Sequence, residues 1–194
     1  MSKLLLFMLS WAKDRPLHDC MDDAGFSSRT GVDWANFCRD ICGQWFDRDN
    51  TELGGFNQNG DPVIVEIDES KFFHRKYHRG AYRQGHWVFG AIERVSRKCY
   101  VVEVQDRRRV TLENIIKEVL LPGTHIVSDG WAAYGYLNEI GNGIYHHSVV
   151  IHEENFVDPN DADVHTQNVE NMWARLKRKF KRGYGTSNAL FPVT

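Results

Sequence analysis

The hydrophobic rhythm of the chain changes near residue 50. Before that point apolar side chains recur at helical spacing. Leu4, Leu5, Met8 and Leu9 form a first amphipathic stretch, and Pro16 opens a second that runs through about Ala24. Val32, Trp34, Phe37, Cys38, Ile41, Trp45 and Phe46 mark a third. Gly25 supplies the turn before this third helix, and Ser27 or Ser28 can cap it. Helix, glycine-containing turn, capped helix is a helix-turn-helix-like outline, which a DNA-reading module and a purely structural helical cap share. Gly31, inside the third helix, costs about 1 kcal/mol relative to alanine.

Beyond a polar stretch rich in Gly and Asn, expected as a linker over residues 51–61, the pattern alternates instead. In "PVIVEIDESKF", Val63, Val65 and Ile67 face one way and Ile64, Glu66 and Asp68 the other. "HWVFGAIER" and "KCYVVEVQD" read as two further strands joined by a hairpin turn at "VSRK". "TLENIIKEVL" has the period of a helix with Thr111 as its cap, and Pro122-Gly123 stops it. "THIVSD" reads as a buried strand, "WAAYGYLNEIG" as a helix closed by Gly141, and "IYHHSVVI" as a fifth strand. A last helix is expected from about Thr166 to Arg182. Three strands, helix, strand, helix, strand, helix predict an α/β mixed sheet flanked by helices.

Composition adds little to this. The 194 residues, 42% hydrophobic and 26% charged, suit one sizeable core with a small helical domain beside it. A net charge of −2 favours no class of partner, so any preference for nucleic acid must lie in local clusters. The four cysteines lack a second pair at metal-ligand spacing and read as reduced thiols. The apolar run at the N-terminus is too short to span a bilayer, and no membrane partner is expected.

The chemistry-bearing residues are three acids. Asp68 interrupts an apolar strand, where an unpaired charge is costly. Asp129 ends the fourth strand, at the carboxyl edge where open α/β sheets hold their ligands. Glu170 lies in the first turns of the last helix. Brought together, three carboxylates would repel one another, and a pair of Mg²⁺ or Mn²⁺ ions is the natural remedy. Such a pair supports in-line attack on a phosphodiester. Read singly, Asp68 pairs with an arginine, Asp129 caps the following helix, and Glu170 is a solvated helix residue.

Taken in order, "VEIDESKFFHRKYHRG", "HWVFGAIER", "PGTHIVSDGWAAY", "FVDP" and "HTQNVENMWARLKRKF" resemble the Merlin-type DNA transposases and the related bacterial insertion-sequence (ISXO-like) transposase domain. The resemblance covers about Ile64 to Gly185 and implies an RNase H-like (integrase-like) fold with a DDE-type triad. By motif, the first acid is Asp68 of "EIDES", the second Asp129 of "VSDGW" and the third Glu170 of "NVENMW". These three are the expected catalytic residues and the ligands of two Mg²⁺ (or Mn²⁺) ions. The resemblance also implies double-stranded DNA as partner, both transposon terminal repeats and target, and a homo-oligomer assembled on it. The place of action would be the nucleus in a eukaryote or the cytoplasm in a bacterium.

Basic clusters fit that expectation. Arg175, Lys177, Arg178, Lys179, Lys181 and Arg182 make six of eight consecutive positions basic, and Glu170, Lys177 and Lys181 fall near one helix face. Arg175, Lys177, Arg178 and Lys181 are therefore expected to neutralise backbone phosphates, although a solvated helix end complementing the macrodipole has the same composition. Lys71, Arg75, Lys76 and Arg79, interleaved with Phe72, Phe73 and Tyr77, suit a DNA-gripping loop. Arg107 to Arg109 form a third cluster. His165 and Asn168 are candidate active-site support, with a helix-start hydrogen-bonding role open for His165 and Thr166. Trp131 and Trp173 read as core or helix-packing residues, and His146, His147 and His152 as strand-face residues.

The expected organisation is a helical region at 1–50, the linker at 51–61, an RNase H-like catalytic domain at 62–185 and a tail at 186–194. The expected activity is metal-dependent DNA hydrolysis and strand transfer in cut-and-paste transposition. A DNA-binding protein derived from such an enzyme, or an RNase H-like nuclease on another substrate, shares most of these features.

Overall fold

A computed structural model of the chain describes residues 2–48, 52–72, 85–150 and 165–182, with the side chains of 46–48 and of 181 and 182 outside the description. The chain divides into two compact units, Met1–Asn50 and Thr51–Thr194.

The first unit holds α1 (Lys3–Ala12), α2 (Leu17–Ala24) and α3 (Ser28–Arg48). Phe7, Cys20, Ala24 and Ala35 form its buried centre. Gly25 adopts φ +63°, and its N–H and that of Phe26 return to the carbonyls of Asp22 and Met21, a Schellman-type stop for α2. Ser27 then caps α3 by accepting the Thr30 N–H at 3.2 Å. Gly31 is explained by packing, because a Cβ there would lie 2.2 Å from Cγ of Met21. The glycine that weakens α3 locally is what lets α2 approach it. Val32, Phe37, Ile41 and Trp45 of α3 stay exposed.

The second unit is built on a five-stranded sheet of β2 (Ile64–Phe72), β3 (His86–Glu93), β4 (Cys99–Val104), β6 (His125–Asp129) and β7 (His146–Val150). Its spatial order is β4-β3-β2-β6-β7. β2, β3 and β4 pair antiparallel, whereas β6 pairs parallel with β2 and with β7. This mixed sheet with helices on both faces is the RNase H-like arrangement. On one face Val65, Ile67, Phe89 and Ala91 pack with Leu112 and Ile116 of α4 (Arg109–Val119). On the other, Phe72, Val88 and Ile92 pack with Val169, Met172 and Trp173 of α5 (Gln167–Arg182). Among the described residues no helix is long and apolar enough to cross a membrane.

Three local expectations are corrected. The segment expected as a linker contributes β1 (Leu53–Gly54), parallel to β5 (Leu120–Leu121), and Leu53 is fully buried. Its polar composition reflects the turn that follows, where Asn57 Oδ1 accepts the N–H groups of Asn59 and Asp61. Thr111 is not the cap of α4. It lies inside the helix, and its hydroxyl donates to Asp106, which also accepts the Arg108 N–H. Residues 131–141 form two 3₁₀ segments, Ala132–Tyr134 and Leu137–Asn142, the second broken at Ile140 and Gly141, instead of one helix. Positive φ at Gly141, Asn142 and Gly143 stops helical propagation, while Tyr134, Leu137 and Ile140 still reach the core at a spacing of three.

Gly90 sits opposite Asp68 in the β2–β3 pairing, and a Cβ there would lie 2.6 Å from Met172 Cε and from the Trp173 ring. The missing side chain lets α5 rest directly on the sheet. Gly90→Ala is expected to destabilise the protein by about 1–3 kcal/mol through overpacking, more than the strand gains from losing a glycine. Urea unfolding checks this, and an unchanged or raised midpoint would contradict it.

Candidate active site

β2 carries acids at 66, 68 and 69, and each meets a different environment. Glu66 shares a face with Asp68 and lies beneath the start of α5. Fully buried, it accepts Arg94 Nε at 3.0 Å, Asn168 Nδ2 at 2.6 Å, and the backbone N–H groups of Asn168 and Val169 at 2.8 and 3.1 Å. The strand residue thus does what an N-cap side chain ordinarily does, satisfying first-turn amides of α5 where the helix dipole favours negative charge. Glu69 points to the opposite face. It accepts Arg107 Nη2 at 2.7 Å and Nε at 3.0 Å, together with the Tyr134 hydroxyl. Burial pushes Glu69 up to about 7, and Arg107 offsets only part of that.

Asp68 has no arginine bonded to it. Its Oδ2 accepts the Trp173 Nε1–H at 2.9 Å, and the like charge of Asp129 acts on it more strongly than the opposite charge of Arg107. The β2–β6 register pairs Glu66 with Val127, so two residues further on Asp68 and Asp129 stand level on neighbouring parallel strands. Burial, and then the Asp129 carboxylate, push Asp68 up to about 6. Asp129 orients itself through an Asx turn, its Oδ1 accepting the Trp131 N–H at 3.1 Å. It does not cap an α-helix, since only a 3₁₀ segment follows.

Glu170 is exposed on the first turn of α5. Thr166, buried before the helix, donates its hydroxyl to Glu170 Oε1 at 3.2 Å. At about 100° per residue, Glu170 and Lys177 fall on the flank of α5 next to Trp173, which reaches Asp68. Asp68 and Asp129 are brought together, and Glu170 is placed one turn before their Trp173 contact. Among the described residues, no group of three His, Cys, Asp or Glu side chains is assembled to hold a metal ion. The Asp68–Asp129 pair fits a hard cation in donor type, and Asp68 does so in its raised proton affinity. Glu170 does not complete that set in this conformation.

The candidate supporting residues act at the other end of this arrangement. His165 Nδ1 lies 3.4 Å from Glu66 Oε1. Its carbonyl accepts Arg94 Nη2 at 2.9 Å. Asn168 bridges Glu66 and Arg97. Both hold the α5 N-terminus and contact Glu66, not Asp68 or Asp129. Of the expected DNA-contacting residues, Lys71, Arg175, Lys177 and Arg178 are exposed, and Lys177 Nζ lies 5.5 Å from the Phe72 ring centroid. Arg75, Lys76, Arg79 and the side chain of Lys181 lie outside the described residues, as does His152. Trp173 is core, as expected, whereas Trp131 is 42% exposed.

Residues 57–189 match the family model of the ISXO2-like transposase domain. The chain belongs to that family. A comparison with curated proteins finds no match. Among solved structures, the HTLV-2 integrase catalytic core domain in complex with magnesium, in its dimeric form, is 14% identical with a TM-score of 0.38, covering 60% of this chain and 68% of that one. The simian T-cell lymphotropic virus intasome in complex with PP2A regulatory subunit B56 gamma is 15% identical with a TM-score of 0.43, covering 82% of this chain and 53% of that one.

Two outcomes follow from the three acids. Truncating Glu66 to alanine leaves Arg94 and the α5 amides without their partner. It is expected to cost about 3–5 kcal/mol in urea unfolding, the range for breaking a buried ion pair. Asp68 contributes through pH. Its folded value of about 6 exceeds the ordinary 3.8. The folded state therefore holds its proton more tightly, and that stabilisation is complete below pH 3.8 and lost as pH rises through about 6. Glu69 acts in the same direction up to about 7. In EDTA, Asp68→Asn is expected to lessen the fall in melting temperature across this window, and parallel wild-type and variant profiles would refute the assignment.

Proposed function

We propose that this transposase-family chain is a DDE-type DNA transposase of the Merlin type that cuts an element from duplex DNA and joins it to a target. Asp68, Asp129 and Glu170 are its catalytic carboxylates. The observation that carries this is the Asp68–Asp129 pair: among the described residues, Asp68 is the one acid on β2 with no arginine bonded to it. Asp68 and Asp129, joined by Glu170, would hold two Mg²⁺ or Mn²⁺ ions, which when bound supply charge neutralisation and a more acidic attacking hydroxyl.

The chain's own groups position the reactants. A scissile phosphodiester lies over the carboxyl ends of β2 and β6, with its backbone running past the exposed Lys71 and along α5 beside Arg175, Lys177 and Arg178. Water attacks the phosphorus in line, the P–O3′ bond breaks, and the strand leaves with a free 3′-hydroxyl. That hydroxyl then attacks a target phosphodiester in the same geometry, so the bond broken in the target equals the bond formed and no protein–DNA covalent intermediate is required. Trp173 holds Asp68 by a neutral N–H donor, which fixes its orientation without neutralising its charge. Two substrate ends acted on together call for at least two copies on the DNA.

The test uses the purified full chain, labelled duplex carrying the inverted repeats that flank its gene, and Mg²⁺ or Mn²⁺. Nicking and strand-transfer products are expected, with Asp68→Ala, Asp129→Ala and Glu170→Ala each reducing them at least about a hundredfold while duplex binding persists. Binding should weaken steeply with salt, and Lys177→Ala should reduce the salt slope by about one. Binding without nicking, unaltered by Asp68→Ala, would instead favour a DNA-binding derivative.

A further inference from the structure

Arg107 lies against two indoles. Its guanidinium carbon lies over the Trp87 ring, 4.4 Å from its centroid, and over the Trp131 ring, 4.2 Å from its centroid. Both bonds to Glu69 hold the guanidinium plane in place, committing its Nε and one Nη2 donor inside the protein. Lys71 extends the column, its Nζ 5.4 Å from the Trp87 ring. Trp87 is largely covered, but Trp131, at the open end, is 42% exposed. An indole with one side against a guanidinium and that much surface left presents its remaining surface outward. The backbone N–H of Trp131 is bonded to Asp129 Oδ1, which ties the residue that carries this indole to the carboxylate pair.

From this juxtaposition we propose that Trp131 is a stacking platform for an unpaired nucleobase adjacent to the scissile phosphodiester, an assignment that rests on the transposase reading above. A large rigid indole left exposed beside a site for phosphodiester chemistry matches the one apolar face that a nucleotide offers. Bases within a duplex have that face covered by their neighbours, so the occupant is a base that has left the stack or lies on a single strand. Stacking tolerates every base, and the contact therefore sets the structure of the DNA next to the cut and not its sequence. The column explains how the platform stays rigid: Glu69 fixes Arg107, and Arg107 backs Trp131.

The experiment uses the full chain in EDTA, which separates binding from cutting. Two probes are compared, a blunt duplex and the same duplex extended by a short single-stranded overhang with 2-aminopurine at its first unpaired position. For the wild type, 2-aminopurine fluorescence is expected to fall on binding, and the overhang probe should bind more tightly than the blunt one. Trp131→Leu should abolish the fluorescence change and weaken overhang binding by between about fivefold and a hundredfold, with blunt-duplex affinity unchanged. Trp131→Phe should restore much of both. Leucine serves as the packing control, since a merely structural indole would be replaced as well by Leu as by Phe, and melting curves of both variants confirm folding. Equal affinity of wild type and Trp131→Leu for the overhang, or equal loss on both probes, overturns the proposal while leaving the transposase reading intact. Failure of the wild type to bind either probe at low salt overturns both.

Discussion

Glu66 is fully buried on the central strand of the sheet, and the first-turn amides of α5 converge on it together with Arg94 and Asn168. A carboxylate in that position would be among the most costly groups in the molecule if it lacked partners. The arginine and the positive end of the helix dipole offset that cost together, and so the favourable arrangement exists only when α5 begins at one place over β2. Asp68 lies two residues along the same strand and face. The distance from the helix start to Asp68 is therefore set by strand geometry, about 6.5 Å, and not by a loop. Trp173 and Phe180, both in edge-to-face contact with Phe72, continue the alignment down the strand.

The three acids of β2 show how one strand can carry carboxylates with different kinds of partner side by side. Glu66 and Glu69 lie on opposite faces, and each is bonded by an arginine. Asp68 sits between them and is bonded instead by an uncharged indole, with an acid as its neighbour. An arginine at Asp68 would offset its negative charge. The indole N–H orients the carboxylate and leaves that charge in place. Excess negative charge at one point of the sheet therefore results from a division of partners, with guanidinium groups at Glu66 and Glu69 and a neutral donor at Asp68.

Much of this was legible from periodicity. The alternation of Val65 and Ile67 against Glu66 and Asp68 places the faces of β2 correctly, and the apolar spacing of α5 locates that helix within a residue or so. The roles of Glu66 and Glu69 were not legible in the same way, because alternation assigns a polar residue to a polar face and says nothing of burial. A usable signal was nevertheless present. Asp68 and Glu69 are consecutive, so they must point to opposite faces of a sheet that is covered on both, and at least one of them requires a buried cation. The 3₁₀ segments after Asp129 were misread because Tyr134, Leu137 and Ile140 repeat at a spacing common to both helix types. Gly141 and Gly143 decide between them only once their φ angles are known. Trp131 was misread because composition treats every tryptophan as core. Its exposure follows from a partner, Arg107, that lies 24 positions away and is brought to it only by the sheet.

The position of Glu170 follows from the same constraints. The helix is pinned on one side of it by the Glu66 bonds to Asn168 and Val169, and on the other by the Trp173 bond to Asp68. Gly90 allows no slack between helix and sheet, since even a methyl group would collide with Trp173. The backbone at 170 can therefore shift little without breaking a buried carboxylate's hydrogen bonds, each worth roughly 1.5–3 kcal/mol when a charged group is involved. What freedom remains is in the Glu170 side chain, which Thr166 holds by a hydroxyl bond at the long end of the normal range, 3.2 Å. Any movement of this carboxylate is thus a matter of side-chain rotation, while the helix, the sheet and Glu66 stay where they are.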